Sequence, residues 1–161
     1  MTYGQKKDGW CGPAALAYAM HMQGKDVDQE ELAKKLDCTT TNGTDNEDMV
    51  RVAKEYGFPV KVIEGKDPQD TLKQLESYRS KSRFPIVDYL MGSDIKKDGH
   101  YSVFLGSTYD TIRLFNVSPG KVESRDKKSF ISKWKDIGTP EHTSPYKYWA
   151  MVLDKIYGDS E

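Results

Sequence analysis

Cysteine is scarce in this chain. Only Cys11 and Cys38 occur in 161 residues, too few for a disulfide-stapled scaffold and without the paired spacing that structural zinc requires. At most one disulfide can form. Excess charge of one sign is also missing, since 24 Lys and Arg nearly cancel 25 Asp and Glu to leave a net charge of -1. No basic surplus is available to neutralise a run of phosphates, so nucleic acid is not an expected partner. Long apolar runs are absent as well: the longest resemble PAALA, and the opening MTYGQKKDG lacks the charged lead and apolar stretch of a secretory signal. No membrane span is expected. An excised domain, or a mature product whose leader was removed, would read the same way, so localisation stays open.

What is present suits a folded domain. Hydrophobic residues make up 37% of the chain, with ten Tyr, five Phe and three Trp, enough apolar area for one core. No repeat, low-complexity tract or Pro/Gly/Ser-rich linker divides it, and we read residues 1–161 as one domain and a monomer.

The first half carries helical signals. Gly12 to Gln23 has Pro13 early, Ala and Leu through the middle and Gly24 where a left-handed cap belongs, which predicts a helix starting just after Cys11. Asp28 with Glu31 reads as a capping-box pair opening a second helix that ends near Asp37. Thr44 or Asp45 caps a third, terminated by Gly57, and Pro68 opens a fourth. The period then changes. PVKVI, PIVDYL, HYSVFLG, TIRLFNV and YWAMVLDKI are short, β-branched or aromatic-rich segments between turn residues, expected as strands of one antiparallel sheet. One helix, Ser129 to Ile137, interrupts them and turns Phe130, Trp134 and Ile137 to the core. The order is α+β.

Cys11 precedes the helix start at Gly12-Pro13, where unpaired amides and the helix dipole favour a negative group and should lower a thiol pKa. Taken alone, Cys11 reads as a small buried hydrophobe. Its context changes that reading. Gln5, six residues upstream across KKDGW, could aim its amide at the space faced by the Cys11 backbone N–H, and two such donors make an oxyanion hole. His100 opens the strand HYSVFLG, and Asn116 ends the strand TIRLFNV. A turn within STYDT centred near Thr108 would place the two directly opposite each other, on one face of a hairpin. An imidazole held by an amide oxygen is the base that a cysteine nucleophile needs.

The remaining candidates read as structural. His21 lies mid-helix and His142 in the loop TPEHTSPY, neither with a partner placed by periodicity. Cys38 lies in LDCTTT without a helix start to activate it. Asp45, Glu47 and Asp48 lack the glycine and terminal glutamate of a calcium loop and read as first-turn helix charges. No metal and no cofactor are expected. Trp10 either flanks a cleft or packs.

The segment QKKDGWCGPAALAYAM resembles the opening of the bacteriocin-processing, double-glycine peptidases and their free-standing relatives, within the papain-like cysteine peptidases. FPIVDYL, GHYSVFLG and KKSFISKW are similar to the later strand and helix segments of the same family, so the likeness spans nearly the whole chain. It implies a papain-like fold with Cys11 as nucleophile, His100 as general base and acid, and Gln5 as the side-chain donor of the oxyanion hole. One departure stands out: the family usually has Asp followed by Pro after the second hairpin strand, whereas this chain reads NVSPG, so Asn116 resembles the wider papain-like group. Asparagine orients the imidazole without a full charge, leaving a Cys11–His100 ion pair to rest more on the helix dipole.

The resemblance implies a free-standing cysteine peptidase acting on a peptide or isopeptide bond. Gly-Gly specificity belongs to members fused to export transporters and is not carried over, while CTTTNGTDNEDMVRVAKEYG is loosely similar to members associated with cell-wall peptide cross-links. The alternatives are an acyltransferase using the same Cys-His site, a non-catalytic peptide-binding module, and a nucleophile silenced by a Cys11–Cys38 disulfide.

Overall fold

A computed structural model describes residues 4–38, 44–91, 98–134 and 148–154. The elements run α1 (Cys11–Met22), α2 (Gln29–Lys35), α3 (Asn46–Glu55), β1 (Val60–Ile63), α4 (Pro68–Ser80), β2 (Ile86–Met91), β3 (Asp98–Ser107), β4 (Thr111–Asn116), β5 (Lys121–Asp126), α5 (Lys127–Lys133) and β6 (Ala150–Leu153). The strands form one sheet in the order β1-β6-β2-β3-β4-β5, and every pair is antiparallel. The α+β order expected from the sequence is the one observed.

The period-2 alternation of strands sorts their side chains onto two faces. Ile86, Tyr101, Val103, Phe115, Val117, Met151 and Leu153 pack with α1, α2 and α3 in one core. Val87, Tyr89, Phe104, Ile112, Leu114, Ala150 and Val152 pack with Leu72 and Leu75 of α4 and with Phe130 and Trp134 of α5 in the other. The sheet is therefore a middle layer buried on both sides, and α1 rises from it with Ala14, Ala15, Leu16 and Met20 fully enclosed. This burial fixes where Cys11, its first residue, meets the sheet.

Local chemistry explains most element ends. Pro68 occupies the start of α4, where a missing N–H costs nothing, and the Asp67 carboxylate accepts from Gln69 N–H. Gly24 and Gly57 take positive φ after α1 and α3, as expected. Asp45, not Thr44, precedes α3. Asp28 caps α2 by accepting from Glu30 N–H, but the expected Glu31 partner turns away to accept from the Tyr56 hydroxyl at 2.7 Å. The capping box is thus half formed, because Glu31 has a tertiary partner.

Three further expectations change. The strand β5 was not anticipated: KVESRD alternates no apolar face, since it is the sheet's outer edge and its side chains are exposed or half-buried. The interrupting helix begins at Lys127 and is described to Lys133, with Asp126 accepting from Ser129 N–H, while Ile137 lies outside the described residues. The β3–β4 hairpin turns within STYDT, but Thr108 N–H bonds the Thr111 carbonyl, which moves the centre to between Tyr109 and Asp110. That alone would displace the pairing by three residues, and an irregularity between Phe104 and Gly106 takes one of them back. Continuing the register past Val103↔Phe115 sets Asn116 opposite Ser102, two residues from His100. The direct pairing is replaced by a diagonal one. Because the displacement is even, the two side chains keep one face.

Candidate active site

Cys11 is the first residue of α1 and is 9% exposed. Its sulfur accepts backbone N–H groups of Gly12, within its own helix, and of Tyr101, the residue after His100 on β3. These donors favour a thiolate, as a helix start should. Burial outweighs them: desolvation pushes the thiol up to about 11, with the backbone donors pulling it back only in part and the nearby Asp88 and Cys38 adding to the rise. The lowered thiol pKa expected from helix position is therefore overturned by the packing of α1 against the sheet. The site rests as a thiol until something takes its proton.

His100 is buried, and burial pushes its imidazole below the usual histidine range, so it is neutral near pH 7. Its Nε2 lies 2.8 Å from Asn116 Oδ1. The same oxygen accepts Ser118 N–H at 3.0 Å, and Asn116 Nδ2 donates to Glu123 Oε1 at 3.0 Å. An amide hydrogen below and a carboxylate above identify which end of the Asn116 side chain is oxygen and which is nitrogen. Neutral His100 must then carry its proton on Nε2, which leaves the Nδ1 lone pair as the basic position.

Gln5 lies beside the end of β4, its N–H bonded to the Val117 carbonyl at 2.7 Å. Gly4 and Gly120 make that approach possible. Gly120 has φ +72°, and a Cβ added to it would come within 3.0 Å of Gly4 Cα. On the other side, buried Gln29 from α2 donates to the Gly4 carbonyl at 2.9 Å and accepts Lys6 N–H at 3.1 Å, so one side-chain amide clamps both peptides flanking Gln5. The Gln5 Oε1 is buried and has no hydrogen-bond partner among the described residues. The N–H groups of a helix's first turn have no partner within it, so the α1 start presents the Cys11 N–H as a second donor.

The other candidates separate from this group. His21 Nδ1 pairs with Asp26 on the exposed end of α1, a structural role as expected, and His142 lies outside the described residues. Cys38 donates from sulfur to the Gly9 carbonyl at 3.2 Å, and burial raises its pKa. Both cysteines are free thiols. Asp48 pairs with Arg51 at 3.2 Å on α3. Among the described residues no cluster of three or more His, Cys, Asp or Glu could hold a metal ion, and no helix is long and apolar enough to cross a membrane. Trp10 is 8% exposed and packs, with the Lys7 ammonium 5.0 Å from its ring centroid.

Sequence reasoning missed Gln29, Glu123 and Tyr89. Gln29 looks like an ordinary first helical residue, and only its burial in a polar position could have drawn notice. Glu123 lies on the unanticipated β5. Tyr89 sets its ring edge-on to His100, with centroids 5.7 Å apart and planes at 89°, and its hydroxyl is 2.9 Å from Ser102 Oγ.

Known proteins share this architecture. The chain aligns with the peptidase domain of Streptococcus ComA, a bi-functional ABC transporter involved in a quorum-sensing pathway, with TM-score 0.71 and 24% identity over 93% of this chain and 95% of that one. A double glycine motif protease from an AMS/PCAT transporter, solved with its leader peptide, aligns with TM-score 0.66 and 14% identity over 92% and 86%. A C39-like peptidase from Bacillus anthracis gives 0.69 and 13% over 92% and 90%. At these identities the likeness is one of fold, the papain-like arrangement of helices and antiparallel sheet. No curated protein sequence matches the chain. Residues 2–142 match the Peptidase_C39 like family, most of the chain's length and a span that includes Gln5, Cys11, His100 and Asn116, and the protein belongs to that family of cysteine peptidases.

Proposed function

We infer that the protein is a cysteine peptidase that hydrolyses a peptide or isopeptide bond with Cys11 as nucleophile, in one catalytic domain spanning residues 1–161. The observation that carries this reading is the locked tautomer of His100: with Nε2–H held by Asn116, Nδ1 is the acceptor, on the residue whose neighbour Tyr101 donates to the Cys11 sulfur. A buried thiol with a pKa near 11 and a neutral imidazole favour proton transfer during attack over a preformed ion pair.

The sulfur attacks the carbonyl carbon while its proton passes to His100 Nδ1. The Cys11 N–H and the Gln5 side-chain N–H hold the developing oxyanion. His100 returns the proton to the leaving amine, the C–N bond breaks and a thioester remains on Cys11. Water, deprotonated by His100, then attacks the thioester, releasing the acid and regenerating the thiol.

A peptide is the substrate class supported by the leader peptide bound to the transporter protease of the same fold. Isopeptide cross-links remain within the reading because the chemistry at the carbonyl is the same. The test is hydrolysis of peptide pools and cell-wall peptides by wild-type protein and by Cys11→Ala. Cleavage by the wild type alone is expected. Equal cleavage by the folded variant would refute Cys11 as nucleophile.

A further inference from the structure

Four side chains close a ring with the imidazole. His100 Nε2–H bonds Asn116, Asn116 Nδ2 bonds Glu123 at 3.0 Å, and Glu123 Oε1 also accepts Arg125 Nε at 2.6 Å. The Arg125 guanidinium lies over the Tyr89 ring, 5.2 Å from its centroid, and the edge of Tyr89 meets His100. Glu123 and Arg125 are both on the edge strand β5, and each is only 28% exposed despite its charge. An edge strand with solvated side chains has no packing reason to hold a Glu and an Arg in one geometry.

We propose that Glu123 is a positioning residue for the catalytic site, fixing the Asn116 amide with its oxygen toward His100 and supplying from one residue further out the negative charge that asparagine lacks. Arg125 in turn holds Glu123 and rests on the ring that walls the imidazole. This assignment rests on the Cys11–His100 reading above. It answers the question raised by NVSPG: residue 116 is neutral because a carboxylate stands behind it.

An amide has two faces, and only one serves. With Nδ2 toward the imidazole, His100 would have to accept at Nε2 and carry its proton on Nδ1, where the base must be empty. The carboxylate accepts but cannot donate, so it holds Nδ2 outward. Substituting aspartate at 116 would set two carboxylates about 3 Å apart, where both cannot stay ionised. Glutamine at 123 would relieve that variant by donating to the new carboxylate.

Among the described residues, the charged and titratable groups that face the imidazole are Glu123 and Arg125 from β5 and Tyr89 from β2. Glu123 raises the His100 pKa and Arg125 lowers it. Removing Glu123 leaves Arg125 unopposed, so His100 should titrate lower; removing Arg125 should move it higher.

The experiment is imidazole nitrogen NMR of His100 through a pH titration, alongside the rate of Cys11 alkylation by iodoacetamide, in wild type, Glu123→Ala, Glu123→Gln, Asn116→Asp and Asn116→Asp/Glu123→Gln. The wild type should show the Nε2–H tautomer. Glu123→Ala should lose that single tautomer, titrate lower and alkylate more slowly, by up to about a hundredfold if the imidazole is misplaced. Asn116→Asp should be impaired, and the double variant should recover both the tautomer and the alkylation rate. A Glu123→Ala spectrum and titration identical to wild type would overturn the proposal, as would single-variant effects that simply multiply in the double variant. If His100→Ala leaves the wild-type alkylation rate intact, it is the peptidase reading that fails, and the NMR still decides the role of Glu123.

Discussion

Gln29 reaches around Gln5 and bonds the peptide on each side of it, taking Lys6 N–H on one oxygen and giving its own N–H to the Gly4 carbonyl. A side chain thus does for the N-terminal segment what a neighbouring strand would do. Together with the bond from Gln5 N–H to Val117, it ties a loop to both α2 and the end of β4. The amide proposed to hold the oxyanion is thereby fixed from behind.

Gln29→Leu should accordingly lower kcat by about tenfold to a hundredfold, within the range for a displaced or lost oxyanion donor. Iodoacetamide alkylation of Cys11 forms no oxyanion and should keep its wild-type rate. Steady-state hydrolysis and alkylation measured on the same preparation check this. A parallel fall in both would mean general disruption, and unchanged hydrolysis would mean the clamp is irrelevant to Gln5.

Stability should fall on the alkaline side because of Cys11. Its folded pKa of about 11 lies above the ordinary 9.0, so between those values the unfolded chain releases the thiol proton while the folded protein retains it. The unfolded state then binds fewer protons, and unfolding free energy drops as pH rises through that window, by of the order of 2–3 kcal/mol in total. Cys11→Ser carries no such ionisation, so the stability difference between the variants should change over pH 9 to 11. Urea denaturation across that range measures it. Parallel curves would mean that burial does not raise the folded thiol above its ordinary range.

Gly12→Ala should strain the start of α1. A Cβ there would lie 2.7 Å from Thr44 Oγ1 and 2.8 Å from Thr44 Cβ, with Met49 Sδ at 3.3 Å. Overpacking of this kind costs about 1–3 kcal/mol. Because the clash is next to the nucleophile, thermal unfolding should move down and hydrolysis should slow together. Thr44→Ser leaves the oxygen in place and Thr44→Ala still leaves the Cβ at 2.8 Å, whereas Gly12→Ala/Thr44→Gly removes both and should restore much of the melting temperature. A Gly12→Ala protein as stable as wild type would contradict the packing described.

How much of this was legible before any coordinates depended on the range of each interaction. Cys11 at a helix start, Asp28 and Pro68 at others, and His100 and Asn116 on neighbouring strands are local or nearly local signals, written in caps, turns and period. Parity also survived: the hairpin slipped by two, through a shifted turn and an irregularity near Leu105, and an even slip leaves His100 and Asn116 on the same face. The strand β5 was hidden because an edge strand buries neither face, so Glu123 was hidden with it. Gln29 bonds residues 23 and 25 positions away, a distance at which sequence spacing carries no direction.

The sequence by itself determined which residues could do the chemistry and the order of helices and strands that presents them, since propensity, capping and alternation act over a few residues. Tertiary structure alone decided the state in which they wait. Packing α1 against the sheet removes water from the Cys11 sulfur and raises its pKa, and bringing β5 alongside β4 puts a carboxylate behind Asn116. Desolvation and long-range contact depend on every element that closes around a group, and no stretch of chain near that group encodes them.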